Sequence, residues 1–488
     1  MTEATDSPGR SPAVEQAIDR AWTDIEASRD DLVALCLELG NLPSPHAAER
    51  PAAEHVGAWL ERSGIETWLQ PITDRSANVV GHVPGTGAGG HSLIVNAHLD
   101  TGPALAPEAT ADDRRIEGAW VDGDLIIGKG VINDKGQLCA FMIAVRALVR
   151  AGVRLRGDLW LSGVAFETGR PSVDALQGID CPGEGFGSRW LVDRGVTADF
   201  ALVGETSGFG IVRAECGEAS IKVHVPGKRV YTPRLERGAE LGPNSNAFVK
   251  AAHLVVALER WAVDYQARQS RDFEGGRFVP KAQVVKIAGS EALGWCNVYL
   301  DVRILPGQKP EAIRREVASV AQALGIEART SVYQFSRGYV AQGAEPLLAA
   351  LEAGHRRLFG SAPPQPPAAE TSMWRDVNVF NEVGIPRRVL RATSPGRAVQ
   401  RGAGPCDAHR RPARRHEGLR SDHHRPVRSR GQLSPRSSLP AAGLRAQAPG
   451  PARVRRGIPG NTPDAAGVSR RGCRSRESAC PSARTRCG

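Results

Sequence analysis

Two short stretches of the chain carry residue types that bind metal ions and transfer protons. The first is HSLIVNAHLD at 91–100, in which an apolar run precedes His98 and Asp100. The second is GKGVINDKGQ at 128–137, which offers Asp134 just before a segment whose apolar residues recur at helical spacing. Imidazole nitrogen and carboxylate oxygen bind Zn²⁺ and also serve as general acids and bases. We therefore predict that two ligands arrive on separate loops of the fold.

Two further acidic residues follow apolar strands in the same way. Glu167 comes after the strand-like run at 157–165, and Glu205 comes after the run at 201–204. A single histidine at the end of a strand is more often structural, but random placement would rarely give this series. Open α/β sheets keep their functional groups beyond the carboxyl ends of the strands. We therefore expect these side chains to meet at one edge of a sheet.

The elements that must position them alternate between helix and strand up to about residue 210. This alternation predicts an α/β catalytic domain with a mostly parallel sheet and helices on both faces. Apolar residues at helical spacing predict helices over 13–39, 51–63 and 137–150. Strands are predicted near 66–72 and 77–83.

From residue 211 the order of the elements changes to β-α-β-β-α-β, which is the ferredoxin-like arrangement. The chain then resumes the first pattern at about 340, so this segment is predicted to be an inserted α+β lid domain. The predicted division is a disordered N-terminus over 1–12, a catalytic domain over 13–210 and 340–390, the lid over 211–339, and a disordered tail over 391–488.

Charge is distributed unevenly along the chain. The tail contains 22 Arg, 5 acidic residues, no Lys and no aromatic residue, so its net charge is +17. The whole chain has a net charge of +10, and residues 1–390 therefore carry −7. The basic balance therefore gives no reason to expect nucleic acid as a partner of the catalytic part. No apolar run is long enough for a membrane span, and no Cys-x-x-Cys pair occurs in residues 1–390. We expect a soluble, cytoplasmic protein with free thiols and no membrane contact.

The series His98-x-Asp100, Asn133-Asp134-Lys135-Gly136, a strand-end Glu167 and a further acidic Glu205 resembles a known family. This family comprises the zinc-dependent deacylases and exopeptidases that include acetylornithine deacetylase, succinyl-diaminopimelate desuccinylase, aminoacylase and glutamate carboxypeptidase. The resemblance covers about residues 30–390. It implies hydrolysis of an amide bond in an N-acyl amino acid or small peptide, by water activated on Zn²⁺, with Co²⁺ as a possible substitute. It also implies a homodimer formed through the lid.

The resemblance assigns roles to individual residues. His98 is expected to bind a metal ion and Asp134 to bridge two ions, while Asp100 is expected to orient the imidazole of His98. Glu205 corresponds to the acidic ligand of the second ion. These roles predict a metal site with a position left open for water.

Glu167 departs from the family pattern, which has two consecutive glutamates at this point, a general base and a metal ligand. Here Phe166 and Thr168 flank a single glutamate. We favour the base, since loss of the proton acceptor would lower the rate by about 10²–10⁴-fold. One ion would then lack a carboxylate, which Asp174 or Glu184 in the loop 170–189 could supply.

Three residues of the lid are candidates for contact with the substrate. Tyr231 stands where relatives carry a histidine that reaches the neighbouring active site, and tyrosine can still donate one hydrogen bond there. Arg303 and Asn297 are candidates for binding a substrate carboxylate, Arg303 through a bidentate pair. A structural role on the sheet face is an equally good interpretation for both, and His224 is expected to be solvated.

The tail departs most from the family, whose members continue with a Gly-rich loop, a histidine that completes the second metal site and a closing helix. Residues 391–488 repeat Arg, Pro, Ser, Gly and Ala without helical or strand periodicity. Translation of a GC-rich gene in a shifted frame is one interpretation, and a basic nucleic-acid-binding arm is the other. We favour the shifted frame, so the tail histidines are poor ligand candidates: His409, His416, His423 and His424. The metal site is therefore expected to be incomplete and the activity low or absent. The alternative function is a non-catalytic relative that binds metal or ligand, in which the lost glutamate and the altered lid residue abolish turnover.

Overall fold

The computed structural model describes residues 11–87, 89–102, 108–169, 173, 182–236, 246–290, 294–385 and 387–390. The described helices are α1 (Pro12–Ala27), α2 (Arg29–Asn41), α3 (Arg50–Arg62), α4 (Ala111–Ile116), α5 (Gly136–Arg150), α6 (Phe186–Asp193), α7 (Ala247–Gln269), α8 (Pro310–Ala323), α9 (Glu345–Phe359) and α10 (Asp376–Glu382).

The strands as far as residue 226 are β1 (Glu66–Pro71), β2 (Ala77–Val83), β3 (Leu93–His98), β4 (Ala119–Asp122), β5 (Leu125–Gly128), β6 (Leu159–Val164), β7 (Phe200–Gly204), β8 (Ile211–Val212), β9 (Ala214–Glu215) and β10 (Gly217–Pro226). The later strands are β11 (Arg271–Phe273), β12 (Gly276–Phe278), β13 (Ala282–Ser290), β14 (Trp295–Ile304), β15 (Arg329–Ser336), β16 (Tyr339–Val340) and β17 (Arg387–Leu390).

The larger sheet has seven strands in the order β1-β2-β6-β3-β7-β17-β8. The central strands β6, β3, β7 and β17 run parallel, whereas β1, β2 and β8 pair antiparallel with their neighbours. The sheet is therefore mixed, with a parallel centre and antiparallel pairing at its edges, and it confirms the predicted α/β catalytic domain with a mostly parallel sheet. The physical reason is clear at one edge, where the short connection over 72–76 can join β1 to β2 only as an antiparallel hairpin.

Helices cover both faces of this sheet, as predicted for an α/β domain. Successive strand residues face opposite ways, so Val95 packs in the core formed with α2, α3 and α5. Its neighbour Ile94 packs in the core formed with α6 and α10. Burial on both faces explains why β3 begins with the continuous apolar run Leu93–Val95.

The predicted helix over 13–39 is wrong as a single element, because the structure has two helices, α1 and α2, that meet at Ser28. The Ser28 hydroxyl donates to the carbonyl of Asp24 at 2.6 Å and accepts from Arg146 at 2.9 Å. Serine side chains compete in this way with the helical hydrogen bonds of the backbone. The apolar spacing continues through the break, so periodicity alone did not indicate it.

The segment after 216 forms a second, four-stranded antiparallel sheet in the order β13-β14-β10-β15. With α7 between β10 and β13, and α8 between β14 and β15, the chain order is the predicted β-α-β-β-α-β. Both helices pack on this sheet around a core of their own. These elements form the lid.

No helix among the described residues is long and apolar enough to cross a membrane. The cysteines Cys36, Cys139, Cys216 and Cys296 are buried free thiols. The fifth cysteine of the catalytic part, Cys181, lies outside the described residues.

Candidate active site

Three of the sequence-predicted ligands converge in the structure. His98 ends β3, Asp134 lies in the turn before α5, and Glu205 follows β7. Each offers one ligand atom, and these atoms all lie within 4.8 Å of one another. All three residues are buried. Because β3 and β7 are adjacent parallel strands, their carboxyl ends place His98 and Glu205 at the same edge of the sheet.

The turn that carries Asp134 is fixed on both sides. Gly130 precedes it with a φ of 78°, a left-handed conformation that glycine adopts without strain. The next side chain, Lys135, is buried and donates to the carbonyls of Leu39 at 2.9 Å and Leu42 at 2.7 Å. The amide of His98 donates to Asp134 Oδ2 at 3.2 Å. The Asp134 carboxylate is therefore held against the end of β3.

Asp100 contacts the protein rather than the cluster of ligand atoms. Its Oδ1 accepts from the amide of Glu167 at 3.0 Å, and its Oδ2 accepts from the amide and hydroxyl of Thr168 at 2.7 and 2.5 Å. His98 Nδ1 lies 2.9 Å from the Asp100 carbonyl and 3.5 Å from Oδ1. Asp100 thus links the His98 ring to the loop that carries Glu167.

Glu167 reaches the same point from the end of β6. Its Oε2 lies 3.7 Å from His98 Nε2, and Glu205 Oε1 lies 3.9 Å from that nitrogen. Phe166, immediately before it, is buried with a φ of 58°, and its amide donates to the buried Glu49 at 3.4 Å. This backbone conformation is rare for an aromatic residue, so the surrounding carboxylates must hold the turn in place.

The electrostatics of this cluster fit a bound cation. Burial raises the pKa of Glu167 well above its usual range against the opposite effect of His98, and the nearby carboxylates of Glu205 and Asp376 raise it further. Burial also raises the pKa of Asp376 to about 7. Nε2 of His98 is buried and has no hydrogen-bond partner among the described residues. Carboxylates crowded in this way around an open imidazole nitrogen are the donor set that Zn²⁺ binds.

A polar cavity of about 270 Å³ opens beside the cluster. It is lined by Glu167 and Glu205 with their neighbours Thr168 and Thr206, and by residues from four other parts of the chain: Asn133, Glu184, Arg303, and the group Glu370, Met373, Trp374 and Arg375. Arg303 belongs to β14 of the lid, so the lid contributes to this cavity within one chain. The volume suits a small molecule with polar groups.

The lid candidates occupy three different environments. Arg303 lines the cavity and pairs with Glu218 at 3.3 Å and Asp301 at 3.1 Å. Asn297 is buried on the same strand, where its Oδ1 lies 2.8 Å from His224 Nδ1. Tyr231 is 73 % exposed and is not among the cavity-lining residues. Of the three, only Arg303 is brought to the cavity.

Glu184 and Asp174 were the suggested replacements for the missing glutamate, and the structure describes only the first of them. Glu184 lines the cavity but does not belong to the group formed by His98, Asp134 and Glu205. Asp174 lies outside the described residues, as do the tail histidines His409, His416, His423 and His424. Glu205 was expected at the second ion, but the structure places its ligand atom with those of His98 and Asp134.

Sequence reasoning missed the segment 370–376 altogether. Arg375 is 3 % exposed, and its guanidinium pairs with Glu205, Glu215 and Glu370. Asp376 is buried next to it and accepts from Asn96 at 3.4 Å. The adjacent Arg and Asp, followed by the buried Val377, Val379 and Phe380 of α10, could have indicated buried charges, which seldom occur unpaired.

The sequence and the fold both match known proteins. A family model described as peptidase family M20/M25/M40 matches residues 94–405. The N-formyl-4-amino-5-aminomethyl-2-methylpyrimidine deformylase of Halalkalibacterium halodurans is 25 % identical over 316 residues, which are 62 % of this chain and 69 % of that protein. The corresponding deformylase of Bacillus subtilis is 28 % identical over 330 residues, covering 64 % of this chain and 72 % of the relative.

Among solved structures, human carnosine dipeptidase 1 aligns with a TM-score of 0.56 at 14 % sequence identity. The alignment covers 77 % of this chain and 91 % of that structure. At this identity the likeness establishes the fold alone. It extends over both the catalytic part and the lid.

Proposed function

The chain belongs to peptidase family M20/M25/M40, and on that premise we propose that it hydrolyses the amide bond of an N-acyl amino acid or a small peptide. The family consists of metal-dependent hydrolases, so the chain is a metallohydrolase. The observation that carries the proposal is the convergence of His98, Asp134 and Glu205 beside a cavity that also contains Glu167.

We propose Zn²⁺ as the ion, with Co²⁺ as a substitute. Imidazole and carboxylate donors suit both kinds of ion. His98, Asp134 and Glu205 would together hold a single ion. When bound, the ion supplies a water of lowered pKa and polarises the amide carbonyl. Asp134 is the proposed ligand that a second ion would share.

Within this site we assign the proton transfers to Glu167. Its carboxylate accepts a proton from the attacking water and returns it to the nitrogen of the leaving amine. Asp100 keeps Glu167 in place through the amides of 167 and 168, and it fixes the orientation of the His98 ring. Arg303 is proposed to bind the polar end of the substrate, because it is the lid residue that lines the cavity.

The role of Tyr231 is a proposal that requires a second copy of the chain, whereas the proposed role of Asn297 does not. We propose a homodimer formed through the lid, in which the exposed Tyr231 approaches the partner's cavity. Asn297 is held by His224 inside its own lid, so its proposed role depends on movement of that sheet. A cytoplasmic location also stays a prediction.

Metal content and hydrolysis together test the proposed function. The purified full chain should contain about one or two equivalents of Zn²⁺ by elemental analysis, and it should release amine from a panel of N-formyl, N-acetyl and N-succinyl amino acids and amines. His98→Ala is the matched control and should abolish the release. Stoichiometric metal without hydrolysis of any compound in the panel would favour the non-catalytic relative instead.

A further inference from the structure

Arg375 is buried at the start of α10, where its guanidinium is surrounded by acceptors from three segments of the chain. Nη1 pairs with the buried Glu215 of β9 and donates to the carbonyl of Glu370 at 3.1 Å. Nη2 pairs with the Glu370 carboxylate and donates to the carbonyl of Thr206 at 3.2 Å. A buried guanidinium costs several kcal/mol unless its donors are satisfied in this way. The position of the side chain is therefore strongly determined.

The remaining donor of this guanidinium faces the metal-binding cluster. Arg375 Nε lies 3.6 Å from Glu205 Oε2, while Glu205 Oε1 lies 3.9 Å from His98 Nε2. The two oxygens of Glu205 thus have different partners, one an arginine and the other the imidazole side of the site. The carbonyl of Thr206, next in the chain to Glu205, binds the same guanidinium. Both the side chain and the backbone of this segment are consequently tied to Arg375.

We propose that Arg375 is a positioning residue that holds Glu205 by Oε2, so that Oε1 alone is presented to the ion bound with His98 and Asp134. The inference rests on the ligand assignment in the proposed function. Glu215 and Glu370 act as the anchor on the far side of the guanidinium. Residues that orient metal ligands in this way typically change metal affinity by 10–100-fold when they are replaced.

The test is the affinity of the metal-free protein for Zn²⁺, measured by competition with a chromophoric chelator. Arg375→Met should raise the dissociation constant of the ion by about 10–100-fold. Arg375→Lys keeps the positive charge but replaces the planar guanidinium with a compact ammonium group, so it should retain part of the Zn²⁺ affinity. Glu215→Gln leaves Arg375 in place but weakens its anchor, and we expect a smaller loss in the same direction. If Arg375→Met does not fold, Arg375→Lys and Glu215→Gln provide the test.

Arg146 provides a matched control, because it is similarly buried at 6 % exposure. It pairs with Asp31 at 2.8 Å and Ser28 at 2.9 Å on the side of α5 that contacts α1 and α2. Arg146→Met should lower the thermal midpoint of unfolding and leave Zn²⁺ affinity unchanged. An equal loss of Zn²⁺ affinity in Arg146→Met would show that the effect is general destabilisation, and the proposal would be overturned.

Folded Arg375 variants with wild-type Zn²⁺ affinity would also overturn the inference, as would a wild-type protein that binds neither Zn²⁺ nor Co²⁺. The spectrum of bound Co²⁺ offers a second measurement, since a change of Glu205 from one to two bound oxygens alters the visible bands. Failure of the proposed function is distinguishable, because these measurements use no substrate. A protein that binds Zn²⁺ as described but hydrolyses nothing would contradict the activity and leave the role of Arg375 standing.

Discussion

The residues around His98 act on different atoms of the ring, and this decides which substitutions remove metal and which only slow the reaction. Nε2 is directed toward Glu167 and Glu205, whereas Nδ1 is occupied by the Asp100 carbonyl at 2.9 Å. A substitution at His98 removes the donor itself. A substitution at Asp100 disturbs the groups that orient it.

We expect His98→Ala to lose most bound zinc, because the change deletes a ligand nitrogen. Asp100→Asn should keep much of the metal but lower turnover by about 10–100-fold. The reason is that Oδ2 now accepts a hydrogen bond from the Thr168 amide, and an asparagine NH₂ group in its place would face that donor. Elemental analysis and steady-state kinetics of both variants provide the measurements. Equal metal content in wild type and His98→Ala would contradict the ligand assignment.

Glu167→Gln separates the two roles that the sequence left open. If Glu167 is the base, the variant should keep its metal stoichiometry while kcat falls by about 10²–10⁴-fold, since glutamine cannot accept the proton. Loss of one equivalent of metal would instead identify Glu167 as a ligand. Glu54→Gln, a change at an exposed residue of α3, is a suitable control and should alter neither quantity.

Among the elements, the turn between β5 and α5 has the strictest steric requirement, because it places Asp134 beside the end of β3. Gly130 in this turn has a φ of 78°, and a Cβ there would lie 2.4 Å from the Thr101 side chain. Gly152, just after α5, has a φ of 65° and nothing within 4 Å of the position of a Cβ. A substitution at either glycine would therefore strain the backbone, but only a substitution at Gly130 would also produce a steric clash.

Gly152→Ala should cost about 1–2 kcal/mol in the free energy of unfolding, which is the strain of a left-handed residue. Gly130→Ala should cost more and should also weaken Zn²⁺ binding, because relief of the contact with Thr101 must move the turn that carries Asp134. Denaturant unfolding and a Zn²⁺ titration of both variants measure these effects. Equal losses of stability with unchanged Zn²⁺ affinity would show that the turn adapts.

For the whole molecule, the proposed homodimer depends on an apolar face of α7 in the lid that is exposed among the described residues. Val249, Val256 and Val263 recur every seven residues along α7 and are exposed, Val263 by 73 %. At 100° per residue they lie opposite the side that packs on the lid sheet through Leu254 and Leu258. Three exposed valines on one helix face are typical of a protein–protein contact.

We expect Val256→Asp combined with Val263→Asp to convert the dimer to a monomer, because a charge would be buried at the contact. Analytical ultracentrifugation measures the change. Val121→Asp, at an equally exposed valine of β4 outside the lid, is the control and should leave the dimer intact. A wild-type protein that is monomeric at micromolar concentration would rule out the proposed assembly.

Truncation after Leu390 tests whether the tail contributes to the site. The family match extends to residue 405, fifteen residues beyond this point. Because residues 391–488 show no periodicity that would bury an apolar face, we expect the truncated chain to keep its metal affinity and its turnover. A marked loss of either quantity would show that a tail residue completes the site.

The sequence by itself determined the α/β fold class, the order of the lid elements and the strand ends that carry His98, Glu167 and Glu205. These features depend on local periodicity and on residue type, which are properties of neighbouring residues in the chain. The break at Ser28 escaped prediction because a side-chain hydrogen bond, rather than apolar spacing, ends the helix.

Only the tertiary structure decided which of these groups meet. The parallel pairing of β3 with β7 brings His98 and Glu205 together although 106 residues separate them along the chain. The same applies to Arg375, whose partners Glu205 and Glu215 lie in distant segments. A buried guanidinium is stable only where folding supplies its acceptors. No local pattern specifies that arrangement, because Glu370 is a near neighbour in the sequence but Glu205, Thr206 and Glu215 are reached only through the tertiary fold.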